Sequence, residues 1–215
     1  MAFSKQEIIH LYRKRAQRYD FTANLYYLIG IRETSYRKKA VAALGLRKGD
    51  TVLEIGCGTG LNFPFLQQAV GPEGKVIGLD LTDRMLEQAR ARVEAEGWPN
   101  VELIQSDAAT YAFPTTVQGI LSTFALSLSP DYDHIIETGS EALAPGGRFV
   151  LLDMKKPDRA PEWLVNFLVT ITRPFGVTLD LTDRRLWESV DRYFEHSSLE
   201  ELYFGFLYLA VGQAG

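Results

Sequence analysis

The segment LEIGCGTG, residues 53–60, places the strongest constraint on the fold. A short apolar run, TVLEI at 51–55, leads directly into three glycines with the spacing G-x-G-x-G, at positions 56, 58 and 60. Glycine accepts positive φ and lacks a Cβ atom, so a ligand can lie against the backbone where a buried strand ends. The segment therefore predicts a strand, a ligand-binding loop and a helix, in that order.

Strand and helix patterns alternate after this loop. Apolar runs predict strands at 51–55, 75–80, 101–105, 119–124 and 148–154. Amphipathic or capped segments predict helices at 62–70 and 83–97, and a third from residue 131 that is stopped by the Pro-Gly-Gly segment 145–147. Such alternation is typical of a parallel sheet with helical crossovers. Two aromatic segments, 191–198 and 201–212, are joined by a short link and predict an antiparallel strand pair.

The amino-terminal 48 residues differ from the rest. Helices are predicted at 4–18, with Ser4 as cap, and at 33–44, so residues 1–48 are interpreted as a helical cap on a core of residues 49–215 within one domain. This cap carries eleven Lys or Arg against three acids, whereas the remainder carries twelve bases against twenty-four acids. The asymmetry favours contact between the cap and an anionic partner, although solvated helix faces explain it equally well.

Several functional classes are disfavoured by composition. The single cysteine, Cys57, allows no disulfide within the chain and no thiolate zinc cluster, and no metal site is predicted. The first residues lack the apolar stretch of a signal peptide, and no apolar run reaches transmembrane length. We therefore expect a cytoplasmic protein.

The glycine spacing argues against two common nucleotide sites. A dinucleotide fingerprint has a third glycine at the position of Leu61, and a phosphate loop continues into Lys-Ser or Lys-Thr, which this chain lacks. Glu54, beside the loop, would repel a pyrophosphate but could accept hydrogen bonds from an ammonium group. Asp80 ends the second predicted strand and suits a ribose, and Asp107 follows the third.

Four motifs carry a resemblance to a known family. VLEIGCGTG, GLDLT, QSDAATYAFP and LAPGGRFVLLD resemble, in this order, the motifs of class I S-adenosylmethionine-dependent methyltransferases, over residues 49–153. The resemblance implies S-adenosyl-L-methionine as cofactor. It also implies an α/β fold with a Rossmann-like, seven-stranded, mostly parallel sheet, a reversed carboxyl-terminal strand pair and the amino-terminal cap.

The resemblance also assigns the nucleoside end of the cofactor site. Asp80 would bind the ribose, with Leu81 and Met85 beside the adenine. Asp107 would accept from the adenine amino group, with Ala108 alongside.

At the methionine end, the resemblance implies that the glycine loop holds the amino-acid part of the cofactor. The residues are Gly56, Gly58 and Gly60, with Glu54 near the amino group.

Within this class, the chain looks most like quinone-ring C-methyltransferases and bacterial phospholipid N-methyltransferases. RAQRYDFTANLYYLIG, residues 15–30, is similar to a tyrosine–aspartate segment that closes over the cofactor, which implies contact of Tyr19 with the methionine or the acceptor. Thr123 and Phe124 would line the methyl-transfer channel. Ser127 and Ser129 lie where many quinone enzymes carry a histidine.

The identity of the acceptor is the most open question. Tyr19 and Asp153 are the candidate catalytic residues, the latter at the end of the fifth strand. The basic, aromatic cap and the apolar segment 160–176 favour a lipid-like acceptor, such as phosphatidylethanolamine, and peripheral contact with the inner face of an anionic membrane. A quinone ring, a soluble metabolite and a non-catalytic cofactor-binding role are the alternatives, and nucleic acid is disfavoured.

Overall fold

The computed structural model describes residues 5–19, 33–157 and 184–215. The helices in these ranges are α1 (Lys5–Arg15), α2 (Glu33–Ala43), α3 (Phe63–Val70), α4 (Asp83–Glu96), α5 (Tyr132–Ala142) and α6 (Leu186–Tyr193). The strands are β1 (Thr51–Ile55), β2 (Lys75–Asp80), β3 (Val101–Gln105), β4 (Val117–Thr123), β5 (Leu143–Met154), β6 (His196–Leu202) and β7 (Leu207–Gln213). Short 3-10 turns cover Ala16–Arg18, Leu126–Leu128 and Tyr203–Gly205.

All seven strands form one sheet in the order β3-β2-β1-β4-β5-β7-β6. The first five run parallel, and β7 pairs antiparallel with both β5 and β6. The predicted α/β class, the mostly parallel sheet and the reversed strand pair are confirmed. The order reverses between β1 and β4, which is where open parallel sheets bind ligands beyond the carboxyl ends of their strands.

Both faces of the sheet are covered, which is why its central strands are mostly apolar, with the buried polar residues Glu54, Thr123 and Asp153 at or near their carboxyl ends. Val52, Leu121 and Val150 point to the face that α2 and α3 cover. The residues next to them in each strand point to the opposite face, toward α5 and α6. Successive side chains of a strand alternate between faces, so a strand covered on both sides is apolar at most consecutive positions.

Several boundaries differ from the sequence prediction. The aromatic segment 201–212 was predicted as one strand, but it contains the end of β6, the 3-10 turn Tyr203–Gly205 and most of β7. The helix predicted to be stopped by the Pro-Gly-Gly segment 145–147 already ends at Ala142, and β5 begins at Leu143. The Pro-Gly-Gly segment, residues 145–147, belongs to β5. It is held in the sheet because Gly146 N–H donates to Ala214 O and Ala214 N–H donates to Gly147 O. The aromatic segment 191–198 was wrongly predicted as one strand. Its first residues complete α6, whose Leu186, Ser189 and Val190 are buried with helical spacing.

The amino-terminal region is only partly described. The predicted helix 4–18 corresponds to α1 and the 3-10 turn that follows it, while Ser4 and the apolar segment 160–176 lie outside the described residues. Ala40 and Val41 of α2 pack into the core. The division into a cap at 1–48 and a core at 49–215, within one domain, stays a prediction. Within the described ranges, no helix combines the length and apolar character needed to cross a bilayer.

Candidate functional site

One cavity lies at the carboxyl ends of the parallel strands and is partly covered by α1. It encloses about 960 Å³, part of which is open to solvent. Ten of the thirteen residues predicted for the cofactor and catalytic site line it: Tyr19, Gly56, Gly58, Asp80, Leu81, Met85, Asp107, Ala108, Thr123 and Phe124. The structure therefore brings together residues that are up to 105 positions apart in the chain (Tyr19 and Phe124). Glu54, Gly60 and Asp153 are not part of its described lining.

Backbone hydrogen bonds join the glycine loop to the neighbouring strand β2. Its three glycines are not all required for the same reason. Gly56 N–H and Cys57 N–H both donate to the carbonyl of Leu79, at 2.8 and 3.0 Å. A Cβ atom on Gly56 would come within 2.3 Å of the Ala125 Cβ, and one on Gly60 within 2.5 Å of the Phe63 ring. A Cβ on Gly58 would meet no atom within 4 Å. Packing thus accounts for two of the glycines, whereas Gly58 leaves backbone open to the cavity.

Asp80 is held at the end of β2 by two backbone donors. Thr82 N–H donates to its Oδ1 and Gly58 N–H to its Oδ2, both at 2.8 Å. Burial raises the pKa of Asp80, and these N–H groups oppose the increase. Each carboxylate oxygen has further lone pairs, so Asp80 can still accept from two vicinal hydroxyl groups.

Asp107, at the end of β3, is joined to α1 by an ion pair. Lys5 Nζ lies 2.8 Å from Asp107 Oδ2 and 2.7 Å from Asp131 Oδ2. Burial alone would raise the pKa of Asp107, but hydrogen bonds from the Lys5 ammonium and the Ala109 N–H bring it below its usual value. A second ion pair joins Arg13 to Asp83 at 2.7 Å. α1 is thus fastened across the mouth of the cavity at two points.

Two tyrosines on the underside of this amino-terminal segment face the cavity. Tyr12 and Tyr19 both line it, with ring centroids 6.3 Å apart and planes tilted by 48°. Burial, with Tyr19 nearby, raises the pKa of Tyr12 well above its usual value. The Tyr12 hydroxyl therefore keeps its proton at neutral pH and is a donor, not a base.

A buried polar network lies behind the glycine loop. Asn62 donates to Glu54 Oε1 at 2.6 Å and to Thr123 Oγ1 at 2.9 Å, and Arg37 donates to the same Thr123 oxygen at 2.6 Å. Glu33 pairs with Arg37. Glu54 Oε2 is buried with no hydrogen-bond partner among the described residues. Burial raises the pKa of Glu54 to about 8, with the Asn62 amide and the Arg37 charge opposing the increase.

Asp153 supports the turn that forms one wall of the cavity. Its carboxylate accepts from Ser127 Oγ at 2.9 Å and from Ser127 N–H at 3.2 Å, and it is 2% exposed. Burial raises its pKa to about 6, although hydrogen bonds from Met154 and Ser127 oppose the increase. Ser127, at the position discussed for a histidine, is thus a partner of Asp153.

Three residues of this site were missed from the sequence as site residues: Tyr12, Arg37 and Asn62. Arg37 could have been found, because Ala40, Val41 and Leu44 follow it at i+3, i+4 and i+7, which places the cation on the buried face of α2. For Asn62, the only signal in the sequence is its position two residues after the glycine loop.

Comparisons with known proteins agree with this geometry. Residues 52–147 match the family model described as a methyltransferase domain. The chain is 30% identical over 159 residues to demethylmenaquinone methyltransferase of Bacillus cereus, and the match covers 73% of this chain and 66% of that protein, slightly less than two thirds of its length. The chain contains a class I S-adenosylmethionine-dependent methyltransferase domain.

Solved structures show the same fold. A methyltransferase from Aquifex aeolicus superposes with a TM-score of 0.59 at 23% identity, covering 83% of this chain and 89% of that one. Phosphoethanolamine N-methyltransferase 2 of Haemonchus contortus, in complex with S-adenosylhomocysteine, gives a TM-score of 0.62 at 21% identity, covering 78% and 38%.

The residues of the methyltransferase domain fit S-adenosylmethionine. Asp80 offers two oriented oxygens for a ribose, and Gly58 leaves room for a ligand against the backbone. Glu54 holds a buried oxygen still able to interact with an ammonium group. Met85 and Leu81 add apolar surface to the cavity that the two aspartates line. Among the described residues, no three His, Cys, Asp or Glu side chains are grouped as metal ligands.

Proposed function

We propose that this protein transfers a methyl group from S-adenosylmethionine to an apolar acceptor, with a quinol-type ring as the first candidate. The observation that carries the proposal is the wall beyond the predicted methionine end. That wall is formed by Phe124, Ala125, Leu126, Leu128 and Pro130, which line the same cavity as Asp80 and Gly58. An apolar wall next to a cofactor site is what a ring or an acyl chain requires.

The chain's own residues would bind, orient and exclude water. The cofactor, when bound, supplies a methyl group on a sulfonium that is already electrophilic. Asp80 and Asp107 would hold its nucleoside part, and Gly56 and Gly58 its methionine part. α1 covers the cavity through the ion pairs of Lys5 and Arg13, which limits water at the reacting centre.

Tyr19 and Asp153 would have different tasks. Tyr19 lines the cavity and is proposed to contact the acceptor. Asp153, with a pKa of about 6, is largely ionised at pH 7 and holds Ser127, in the turn whose other residues form the wall. We therefore assign Asp153 to positioning the acceptor wall.

The quinol ring is the first candidate acceptor because of the proteins to which this chain is similar. Demethylmenaquinone methyltransferase of Bacillus cereus acts on a quinone, by its name, and matches three quarters of this chain. A quinol is planar and apolar, and only its hydroxyl groups need polar partners, which the protonated Tyr12 could supply.

A phospholipid amine is the second candidate. Tyr12, Tyr19 and Phe124 present three aromatic rings to the cavity, and aromatic faces attract ammonium groups by cation–π interaction. This acceptor would place the basic amino-terminal segment at an anionic membrane surface, as the charge pattern predicts.

The test uses S-adenosylmethionine labelled in its methyl group and three defined acceptors. These are a short-chain demethylated naphthoquinol, phosphatidylethanolamine in anionic vesicles, and water-soluble phosphoethanolamine. The proposal expects label in the organic phase with the quinol, or with the vesicles if the second candidate holds. Asp80→Ala serves as the matched control, because it should remove the label from every acceptor.

Two results would count against the proposal. Label that reaches only phosphoethanolamine would refute an apolar acceptor while retaining methyl transfer. Tight cofactor binding with no label from these acceptors or from a whole-cell lipid extract would favour the non-catalytic role.

A further inference from the structure

Arg37 is a buried cation on the wall of the cavity. Its side chain is 7% exposed, and it lines the same cavity as Gly56 and Phe124. Burial opposes its charge, yet Glu33 and other nearby acidic groups raise the pKa of Arg37 above its usual value, so the guanidinium stays charged. A buried charge is costly unless its N–H groups are satisfied, so its partners indicate what the residue does.

Acceptors of the protein itself bind only some of the N–H donors of the guanidinium group. Nε and Nη2 donate to the same Glu33 oxygen, and Nη1 donates to Thr123 Oγ1 at 2.6 Å and to Asn62 Oδ1 at 3.3 Å. Arginine has five N–H donors, and these bonds use four of them. The second N–H of Nη2 has no acceptor among the described residues. The bond to Asn62 is also long, and it can be exchanged for a better acceptor.

Thr123 adds a second donor at the same place. Its hydroxyl oxygen already accepts from Arg37 Nη1 and from Asn62 Nδ2. Because two donors occupy that oxygen, the hydroxyl proton is left to donate elsewhere, and Thr123 lines the cavity. A fixed positive charge and two N–H or O–H donors at one spot are the requirements of a carboxylate site.

The position along the sheet indicates which carboxylate. Asp107, Asp80, the glycine loop and Thr123 follow β3, β2, β1 and β4, which are neighbours in that order. A ligand with its adenine at Asp107 and its ribose at Asp80 extends toward β1 and β4 with its amino-acid part. We propose that Arg37 binds the α-carboxylate of the cofactor's methionine group, with the Thr123 hydroxyl as the second donor.

The neighbouring carboxyl groups are compatible with this assignment. Glu33 balances the charge of Arg37 in the absence of ligand. Glu54, with its pKa at about 8, is mostly uncharged at pH 7 and does not repel an incoming carboxylate. The zwitterionic end of methionine would then lie with its carboxylate at Arg37 and its ammonium toward Glu54.

The test compares two ligands that differ only in the methionine group. S-adenosylhomocysteine carries the carboxylate, whereas 5′-methylthioadenosine keeps the nucleoside and the sulfur but lacks the amino-acid end. Calorimetry should find that Arg37→Met weakens S-adenosylhomocysteine binding by about 10- to 100-fold, the size of a lost charge-assisted hydrogen bond, and leaves 5′-methylthioadenosine within about twofold. Arg37→Lys should recover part of the loss, and Thr123→Val should show a smaller loss with the same selectivity.

The control is Lys38→Met, which removes the next cation on α2; Lys38 is exposed and lies over the Phe65 ring, away from the cavity lining. It should change neither affinity. Equal losses for both ligands in Arg37→Met and Arg37→Lys would assign Arg37 to folding and overturn the proposal. Unchanged S-adenosylhomocysteine affinity with a raised KM for the acceptor would overturn it in favour of an acceptor anion. If the unmodified protein bound neither ligand, the cofactor site itself would be wrong.

Discussion

Glu54 offers the sharpest test of the site, because its protonation should change when the cofactor binds. Its carboxyl group is 1% exposed, one oxygen accepts from Asn62, and the charged groups that face it are Arg37 and Asp80. With a pKa of about 8, about nine tenths of Glu54 is protonated at pH 7. An ammonium group at the methionine end would stabilise the carboxylate and lower this pKa.

The sign and size of the effect follow from linkage. If the cofactor-bound form is ionised throughout, binding releases about 0.9 proton at pH 7, and affinity increases by about 50-fold from pH 6 to pH 8 before levelling off. Glu54 does not line the cavity itself, so an ammonium group in the cavity would act on it through the wall, and this value is an upper limit.

The measurement is calorimetry of S-adenosylhomocysteine binding at pH 7 in two buffers with different ionisation enthalpies. The slope of the observed enthalpy against the buffer enthalpy gives the number of protons released. Glu54→Gln keeps the acceptor for Asn62 but cannot ionise, so its proton release should be close to zero and its affinity nearly independent of pH. Zero release by the unmodified protein, or equal release by Glu54→Gln, would refute the coupling.

The same group predicts a stability difference. The folded-state pKa of Glu54 lies above its usual value of 4.5, so the folded state binds more protons and loses stability as pH rises from about 4.5 to 8. In thermal unfolding of the free protein, the Tm of Glu54→Gln should therefore rise relative to the Tm of the unmodified chain as pH increases over this range. A constant difference in Tm from pH 5 to 8 would contradict the raised pKa.

Three further predictions concern the loop, the ribose site and α1. Gly56→Ala should lower the free energy of unfolding by more than about 2 kcal/mol because its Cβ meets Ala125, whereas Gly58→Ala should cost only about 1 kcal/mol and mainly weaken ligand binding, as denaturant titrations and calorimetry would show. Asp80→Asn should weaken 5′-methylthioadenosine binding by more than about tenfold, since an amide cannot accept from both backbone donors, while Glu87→Gln on exposed α4 changes nothing. Lys5→Gln combined with Arg13→Gln should change the stability of the fold little, because exposed ion pairs are weak, but it should speed ligand release in stopped-flow measurements. Lys14→Gln is the control, and unchanged release would remove the covering role of α1.

The sheet could be predicted because its signals are local. β2 and β3 have the bounds that the sequence predicts, since each is a short apolar run between turn residues. α6 was missed because its last three residues were included in the aromatic segment 191–198, which was predicted as a strand, although the buried positions of α6 have helical spacing. Aromatic residues indicate burial more than they indicate a backbone conformation. The spacing of the apolar residues is therefore the better guide to helix or strand in this segment.

The site was predictable only where a motif fixes the backbone. Asp80 follows from its position at a strand end, and the structure places it beside Gly58. Tyr12 and Arg37 reach the cavity from helices that precede the sheet in the chain, and no local pattern fixes how these helices pack. Gly60 illustrates the reverse case, because the motif suggested ligand contact where packing against Phe63 already requires glycine.

The charge asymmetry of the chain is explained partly within the molecule. Lys5 and Arg13 of the basic segment pair with Asp107, Asp131 and Asp83 of the acidic core, and Lys39 of α2 pairs with Glu200 of β6. A basic segment can therefore be the complement of its own acidic core, without an external anion. Such exposed pairs are weak and screened by salt, so they hold α1 while allowing it to open. If α1 covers the cofactor in this way, ligand release should accelerate with ionic strength in the unmodified protein and much less in the Lys5→Gln, Arg13→Gln variant; equal salt dependence in both would assign the effect to the rest of the site.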